Sequence, residues 1–210
     1  MNFKKVFICF CYCLLSLIAQ ATKIDADTLS IANTLQSNMV VQQGKPLAVW
    51  GYAGHGQNIK IKASWSQKIY KTKSADNGTW KVEIPVPMAV PGRFIPNVLE
   101  ISTESKTITL THILIGDVWL CSGQSNMDME LKPFLPWLLG AMHYRMEIEN
   151  ANYPQIRLFN VRTDFKSSPQ EDCGGNWKVC SPATAPDFSA LAYFFAREIF
   201  NRTQIPVGLV

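Results

Sequence analysis

Histidine is scarce in this 210-residue sequence: His55, His112 and His143 are the only imidazoles. No Cys/His spacing matches a zinc site, so the residues imply no structural metal, and no pattern in them asks for an organic cofactor. An excess of one charge is missing as well. Twenty Lys and Arg stand against 16 Asp and Glu, and setting aside Lys4 and Lys5 in the leading segment lowers the basic count to 18. Such a balance presents no electrostatic footprint for nucleic acid and suits a neutral or mildly acidic substrate, such as a sugar acid. Internal repeats and low-complexity tracts are also lacking, which leaves one medium domain or two small ones. No apolar run is long enough to span a bilayer comfortably, the longest being residues 6–18.

That run follows Lys4-Lys5 and ends in Ala19-Gln20-Ala21, an A-x-A pattern. It reads as an export signal over residues 1–21, cleaved after Ala21, which predicts a secreted or periplasmic protein. Cys9, Cys11 and Cys13 fall inside the signal, leaving Cys121, Cys173 and Cys180 in the mature chain. Export permits a disulfide, and Cys173 could pair with Cys180 across a small loop; three reduced thiols are equally compatible with the sequence.

Residues 28–112 read as short strands broken by Gly, Pro and Asn. Asn58–Ser64 alternates Ile59, Ile61 and Ala63 with Lys60 and Lys62, the period of a half-buried antiparallel strand. Asp76-Asn77-Gly78 lies between two strand-like runs and predicts a type I′ hairpin turn. Val98–Thr103 and Thr107–Leu110 form a second expected hairpin. Together these elements predict a small β-sandwich. The aromatics Trp50, Tyr52, Trp65 and Trp80 suit either its core or sugar stacking.

From Ile113 the character changes. Residues 113–120 form an apolar strand of the kind buried on both faces of a parallel sheet. A helix is expected between Trp137 and Asn150, a strand over 155–161, a helix over 187–202 with Asp187 as N-cap, and a last strand over 207–210. Leu191, Phe194, Phe195 and Ile199 make the core-facing stripe of the second helix. The β-α-β-α-β order predicts part of a doubly wound α/β domain over residues 113–210.

Chemistry concentrates in Gly116-Asp117-Val118-Trp119-Leu120-Cys121-Ser122-Gly123-Gln124-Ser125-Asn126-Met127. The segment sets Ser125 just past the C-terminal end of a buried strand, where open α/β sheets gather their ligands. Gly123 lets the backbone turn tightly, and a helix starting after Ser125 would aim free N–H groups at an oxyanion beside that hydroxyl. Taken alone, the same serine could be a helix N-cap.

This block closely resembles the nucleophile block of the sialate O-acetylesterase branch of the SGNH hydrolases. The resemblance extends to Asn38-Met39-Val40-Val41-Gln42-Gln43, to Val49-Trp50-Gly51, to Tyr153 through Phe159 and to Phe188 through Glu198. It implies that Ser125 attacks an acetyl ester, that its N–H is one oxyanion donor, and that Gln124, Asn126 and Met127 shape the turn. The family supplies its base from an Asp-x-x-His block near the end of the catalytic domain, and completes the oxyanion hole with a later Gly and Asn. None of these blocks occurs here, and no Asp stands three residues before any of the three histidines.

The resemblance therefore implies a serine esterase acting on O-acetylated sialic acid or another acetylated glycan, without metal or cofactor, with this chain an inactive portion of it. An acetylxylan or general carbohydrate esterase fits the same motif. A noncatalytic carbohydrate-binding protein built on the sandwich is the alternative from another class. Pro133, Pro136, Trp137, Leu138 and Leu139 could line a substrate cleft or pack the start of a helix.

Overall fold

A computed structural model describes residues 28–210. The export-signal reading, its cleavage after Ala21, and Cys9, Cys11 and Cys13 lie outside the described residues. Eight strands come first: β1 (Leu29–Ile31), β2 (Val40–Gln42), β3 (Leu47–Ala53), β4 (Asn58–Ala63), β5 (Ile69–Lys73), β6 (Thr79–Ile84), β7 (Asn97–Ser102) and β8 (Thr107–Trp119). Then follow α1 (Ser125–Asp128), α2 (Tyr144–Glu149), β9 (Tyr153–Phe159), β10 (Trp177–Cys180), α3 (Ala190–Thr203) and β11 (Val207–Leu209).

The strands form two sheets. A three-stranded sheet runs β1-β3-β6, and an eight-stranded mixed sheet runs β10-β9-β11-β8-β7-β4-β5, with β2 also paired to β8. The alternation of β4 is borne out, with Ile59, Ile61 and Ala63 fully buried and the lysines between them exposed. Val49, Ala53, Trp80 and Ile84 of the small sheet share one core with Ile59, Ile61, Leu99 and Ile101 of the large one. Burial of a side chain of this size stabilises by roughly 1.5–3 kcal/mol, so this shared core is what holds the two sheets together.

The same core continues beneath Met39, Val41, Phe159 and Trp177. The core between the two sheets is therefore not confined to residues 28–112. The three-stranded sheet covers one end of a sheet that runs on into the parallel region. Strand β8 makes the connection: it crosses the expected boundary at residues 112 and 113 without a break, pairing antiparallel with β7 and parallel with β2 and β11. Between the pairs Asn97↔Ile113 and Leu99↔Leu110, two residues of β8 oppose one of β7. That is a β-bulge, and it holds His112 at φ 56°.

The opposite face of the parallel strands carries a second core, in which Ile156, Leu158, Val207 and Leu209 meet Ala192, Tyr193 and Ala196 of α3. Among the described residues a helix covers only this face of the parallel strands, the other is covered by strand and loop, and the sheet is mixed, with β10 antiparallel to β9. The Asn77-Gly78 turn is corrected. It joins β5 to β6, which lie in different sheets. Only Gly78 takes a positive φ, 82°, while Asn77 Oδ1 accepts from Thr79 N–H at 3.1 Å. This is an Asx turn rather than a type I′ hairpin.

Three further expectations change. The helix expected from Trp137 is confined to Tyr144–Glu149, because Pro133, Pro136 and Gly140 occupy the preceding segment and Gly140 sits at φ 75° against the Lys132–Pro133 backbone. The N-cap of α3 is Ser189, whose Oγ accepts from Ala192 N–H at 3.3 Å, while Asp187 is held by Lys132. The buried face of α3 is Ala192, Tyr193, Ala196 and Phe200; Leu191 and Phe195 face outward, 50% and 37% exposed. Cys121, Cys173 and Cys180 are all free thiols. Cys173 packs against the first core and Cys180 lies buried in the second, so the small-loop disulfide is not formed.

Candidate active site

The serine turn begins where β8 ends. Gly116 lies beside β11 so closely that a Cβ there would stand 2.0 Å from the Pro206 carbonyl oxygen. The motif thus opens with glycine because the neighbouring backbone leaves no room for a side chain. Next to it, the Asp117 carboxylate accepts from Gln42 Nε2 at 3.2 Å and from Gln43 Nε2 at 2.9 Å. Gln42 returns the contact by accepting from Val118 N–H at 2.8 Å. Two separated sequence blocks, Gln42-Gln43 and Gly116-Asp117-Val118, are thereby clasped together at the strand that leads to the serine. Sequence reasoning noted both blocks but missed the clasp, whose partners lie more than seventy positions apart.

Past Trp119 the chain is anchored twice more, by Val210 N–H to the Trp119 carbonyl at 2.9 Å and by Cys121 N–H to the Val210 carbonyl at 2.6 Å. Ser122, Gly123, Gln124, Ser125 and Asn126 then stand exposed. Helix α1 is a single turn starting at Ser125, in which Met127 and Asp128 N–H donate to the Gln124 carbonyl at 2.9 and 3.0 Å. Gly123 packs on Met127: a Cβ on it would lie 3.0 Å from the Met127 Cβ. Met127 receives the Ser189 hydroxyl on its sulfur at 3.4 Å, which ties the turn to the start of α3. Ala190 N–H to the Met129 carbonyl at 2.8 Å completes that tie.

Ser125 is thus placed outward on a turn secured from below. Its N–H and that of Asn126 donate to no acceptor among the described residues. No described side chain bonds its hydroxyl. Gln124 precedes the helix without a side-chain capping bond, and neither it nor Asn126 makes a side-chain hydrogen bond. The histidines are engaged elsewhere: His55 Nε2 meets Asp76 at 3.0 Å in a turn, and His112 Nδ1 meets Thr111 Oγ1 at 3.0 Å on the bulge. His143 precedes α2 in the left-handed region at φ 56°.

Around the turn, burial pushes the Cys121 thiol up, which makes it a poor nucleophile beside Ser125. Burial drives Cys180 further, to about 12. Arg157, 7% exposed, donates from Nε to the Pro154 carbonyl at 2.9 Å and from Nη1 to Asn38 Oδ1 at 3.2 Å. It holds Asn38 in its left-handed conformation, φ 68°, at the entry to β2. Of the residues 133–139, Trp137 and Leu139 are 78% and 82% exposed, so they pack no helix start.

An exposed serine at the C-terminal end of a sheet strand, secured by a clasp of amides and a methionine tie, defines a serine-hydrolase-like turn on a mixed α/β sheet. The chain superimposes on a carbohydrate acetylesterase from Xanthomonas citri with a TM-score of 0.78 and 31% identity, over 86% of this chain and 39% of that one. No protein-family model matches the chain. Among curated proteins it is similar to the sialate O-acetylesterases of Rattus norvegicus, 29% identical over 94% of this chain, and of Homo sapiens, 28% identical over 93%. The resemblance to the sialate O-acetylesterase family read from the motifs is therefore matched along nearly the whole chain. The chain spans 38% and 39% of the length of those two relatives.

Proposed function

We propose that this chain is the nucleophile-bearing portion of a serine carbohydrate O-acetylesterase, and that its substrate is an O-acetylated sialic acid. The observation that carries the reading is the placement of Ser125, exposed on a secured turn at the end of β8, in a chain similar throughout to sialate O-acetylesterases. In this reading the Ser125 hydroxyl attacks the acetyl carbonyl, the sugar hydroxyl leaves, and water then releases acetate from the acyl-serine. The Ser125 N–H, without a protein acceptor, is placed to donate to the oxyanion.

A serine hydroxyl becomes a useful nucleophile only when a base takes its proton. Among the described residues no imidazole bonds Ser125, so the base is expected from polypeptide beyond these. The chain alone is then expected to hydrolyse an activated acetyl ester no faster than its Ser125→Ala variant. Sugar choice is tested in the complete protein by comparing acetate release from 9-O-acetylated N-acetylneuraminic acid and from acetylated xylan. Preference for the sialic ester supports the assignment; preference for xylan moves it to the acetylxylan esterases.

A further inference from the structure

Twelve residues, 85–96, connect β6 to β7 without regular structure, about twice the usual length of a connection inside a compact domain. Pro85, Pro87, Pro91 and Pro96 stiffen this loop. It is also pinned at several points. Trp65 Nε1 donates to the Pro85 carbonyl at 3.1 Å, Gly44 N–H to the Pro87 carbonyl at 3.2 Å, and Ala89 N–H to Gln43 Oε1 at 3.0 Å. Gly92 N–H reaches the Gln204 carbonyl at 2.9 Å, and the Phe94 ring meets Phe200 with centroids 5.8 Å apart. The loop is therefore held open in one shape.

Between it and β8 lies a cleft of about 380 Å³, within the range of small-molecule sites. Its lining includes Trp65, Phe94, Arg93, Ser64 and Asn97, and it shares no residue with the serine turn. Met88, Val90 and Ile95 border it while 68%, 52% and 52% exposed. The indole N–H of Trp65 is already satisfied within the protein, so what the ring has left to offer a ligand is its apolar surface. The Arg93 guanidinium makes no hydrogen bond or ion pair with any described residue. Ser64 Oγ donates to Asn97 Oδ1 at 3.0 Å, so these two satisfy each other, and what is left for a ligand is an aromatic surface and a free cation, the pair that recognises a pyranose bearing a carboxylate. A purely apolar partner would leave the cation unmatched.

We propose that this cleft is a second, noncatalytic carbohydrate site that holds a sugar acid through Trp65 and Arg93. The proposal does not depend on Ser125 or on esterase activity, so either can fail without the other. Preorganisation of the loop means that little ordering accompanies binding.

The test titrates the complete protein that contains this chain with N-acetylneuraminic acid and separately with its methyl ester, following the Trp65 indole N–H resonance. The acid is expected to shift that resonance saturably in the millimolar range and to bind at least about fivefold more tightly than the ester. Arg93→Gln, an exposed substitution, is expected to remove the preference, leaving acid and ester alike. Trp65→Phe is expected to keep binding and Trp65→Ala to lose it; if Trp65→Ala does not fold, the resonance shift and Arg93→Gln decide. Absence of any Trp65 shift up to ~50 mM sugar, equal binding of acid and ester, or a preference that survives Arg93→Gln would each overturn the proposal.

Discussion

Gly116→Ala addresses the strand pairing that delivers Ser125. The added Cβ would stand 2.0 Å from the Pro206 oxygen, 2.7 Å from its carbonyl carbon and 2.9 Å from its Cβ. All three belong to the residue just before β11, so no flexible side chain can swing aside. Ordinary contact begins near 3.4 Å, so β8 and this neighbour must separate by about 1.4 Å. Asp117 N–H donates to the same Pro206 oxygen at 2.9 Å, and that bond is lost if the strands move apart. Overpacking costs about 1–3 kcal/mol and a lost backbone hydrogen bond about 1 kcal/mol, so the expected destabilisation is about 3 kcal/mol. Urea unfolding followed by tryptophan fluorescence should show a midpoint lowered by roughly 1–2 M at an unchanged slope. A stability within about 0.5 kcal/mol of wild type would refute the tight approach of β11 to β8.

Ser189→Ala removes the N-cap of α3 and should cost about 1 kcal/mol, whereas Asp187→Ala, which loses only an exposed ion pair, should stay within about 0.5 kcal/mol; urea midpoints of the two variants decide which residue is the cap. Arg157→Lys keeps the charge but cannot span the Pro154 carbonyl and Asn38 together, and should destabilise by about 1–3 kcal/mol in the same assay. Burial pushes the Cys180 thiol from the ordinary thiol range up to about 12 in the folded chain. The unfolded chain therefore loses this proton first, so its contribution is intact below the ordinary thiol range and falls as pH rises toward about 12. Unfolding free energies measured across that window should decline less steeply in Cys180→Ala. Native alkylation should label the partly exposed Cys121 and Cys173 before Cys180, as peptide mass spectrometry would show.

Much of the strand order could be read from residue patterns. The alternation of Ile59, Ile61 and Ala63 survives because one face of β4 is dry and the other wet. The serine turn was legible because the strand end, the glycine and the serine lie within ten residues of one another, from Gly116 to Ser125. What the sequence concealed depends on distant partners. Asn77-Gly78 carries a local hairpin signal, yet the core on Val49, Trp80 and Ile84 draws β6 into the other sheet. The continuity of β8 through His112 was hidden because a bulge changes hydrogen-bonding partners without changing strand character. Trp137 and Leu139 looked like helix because apolar spacing says nothing of the left-handed Gly140 beside them. The clasp of Asp117 by Gln42 and Gln43 joins residues more than seventy positions apart, beyond any local pattern.

The role of Ser125 is tested most directly in the complete protein that contains this chain, by measuring acetate release from 9-O-acetylated N-acetylneuraminic acid with Ser125 intact and with Ser125→Ala. Loss of at least about a thousandfold in kcat is predicted, with the fold unchanged by circular dichroism. Turnover undiminished by the substitution would contradict Ser125 as the nucleophile.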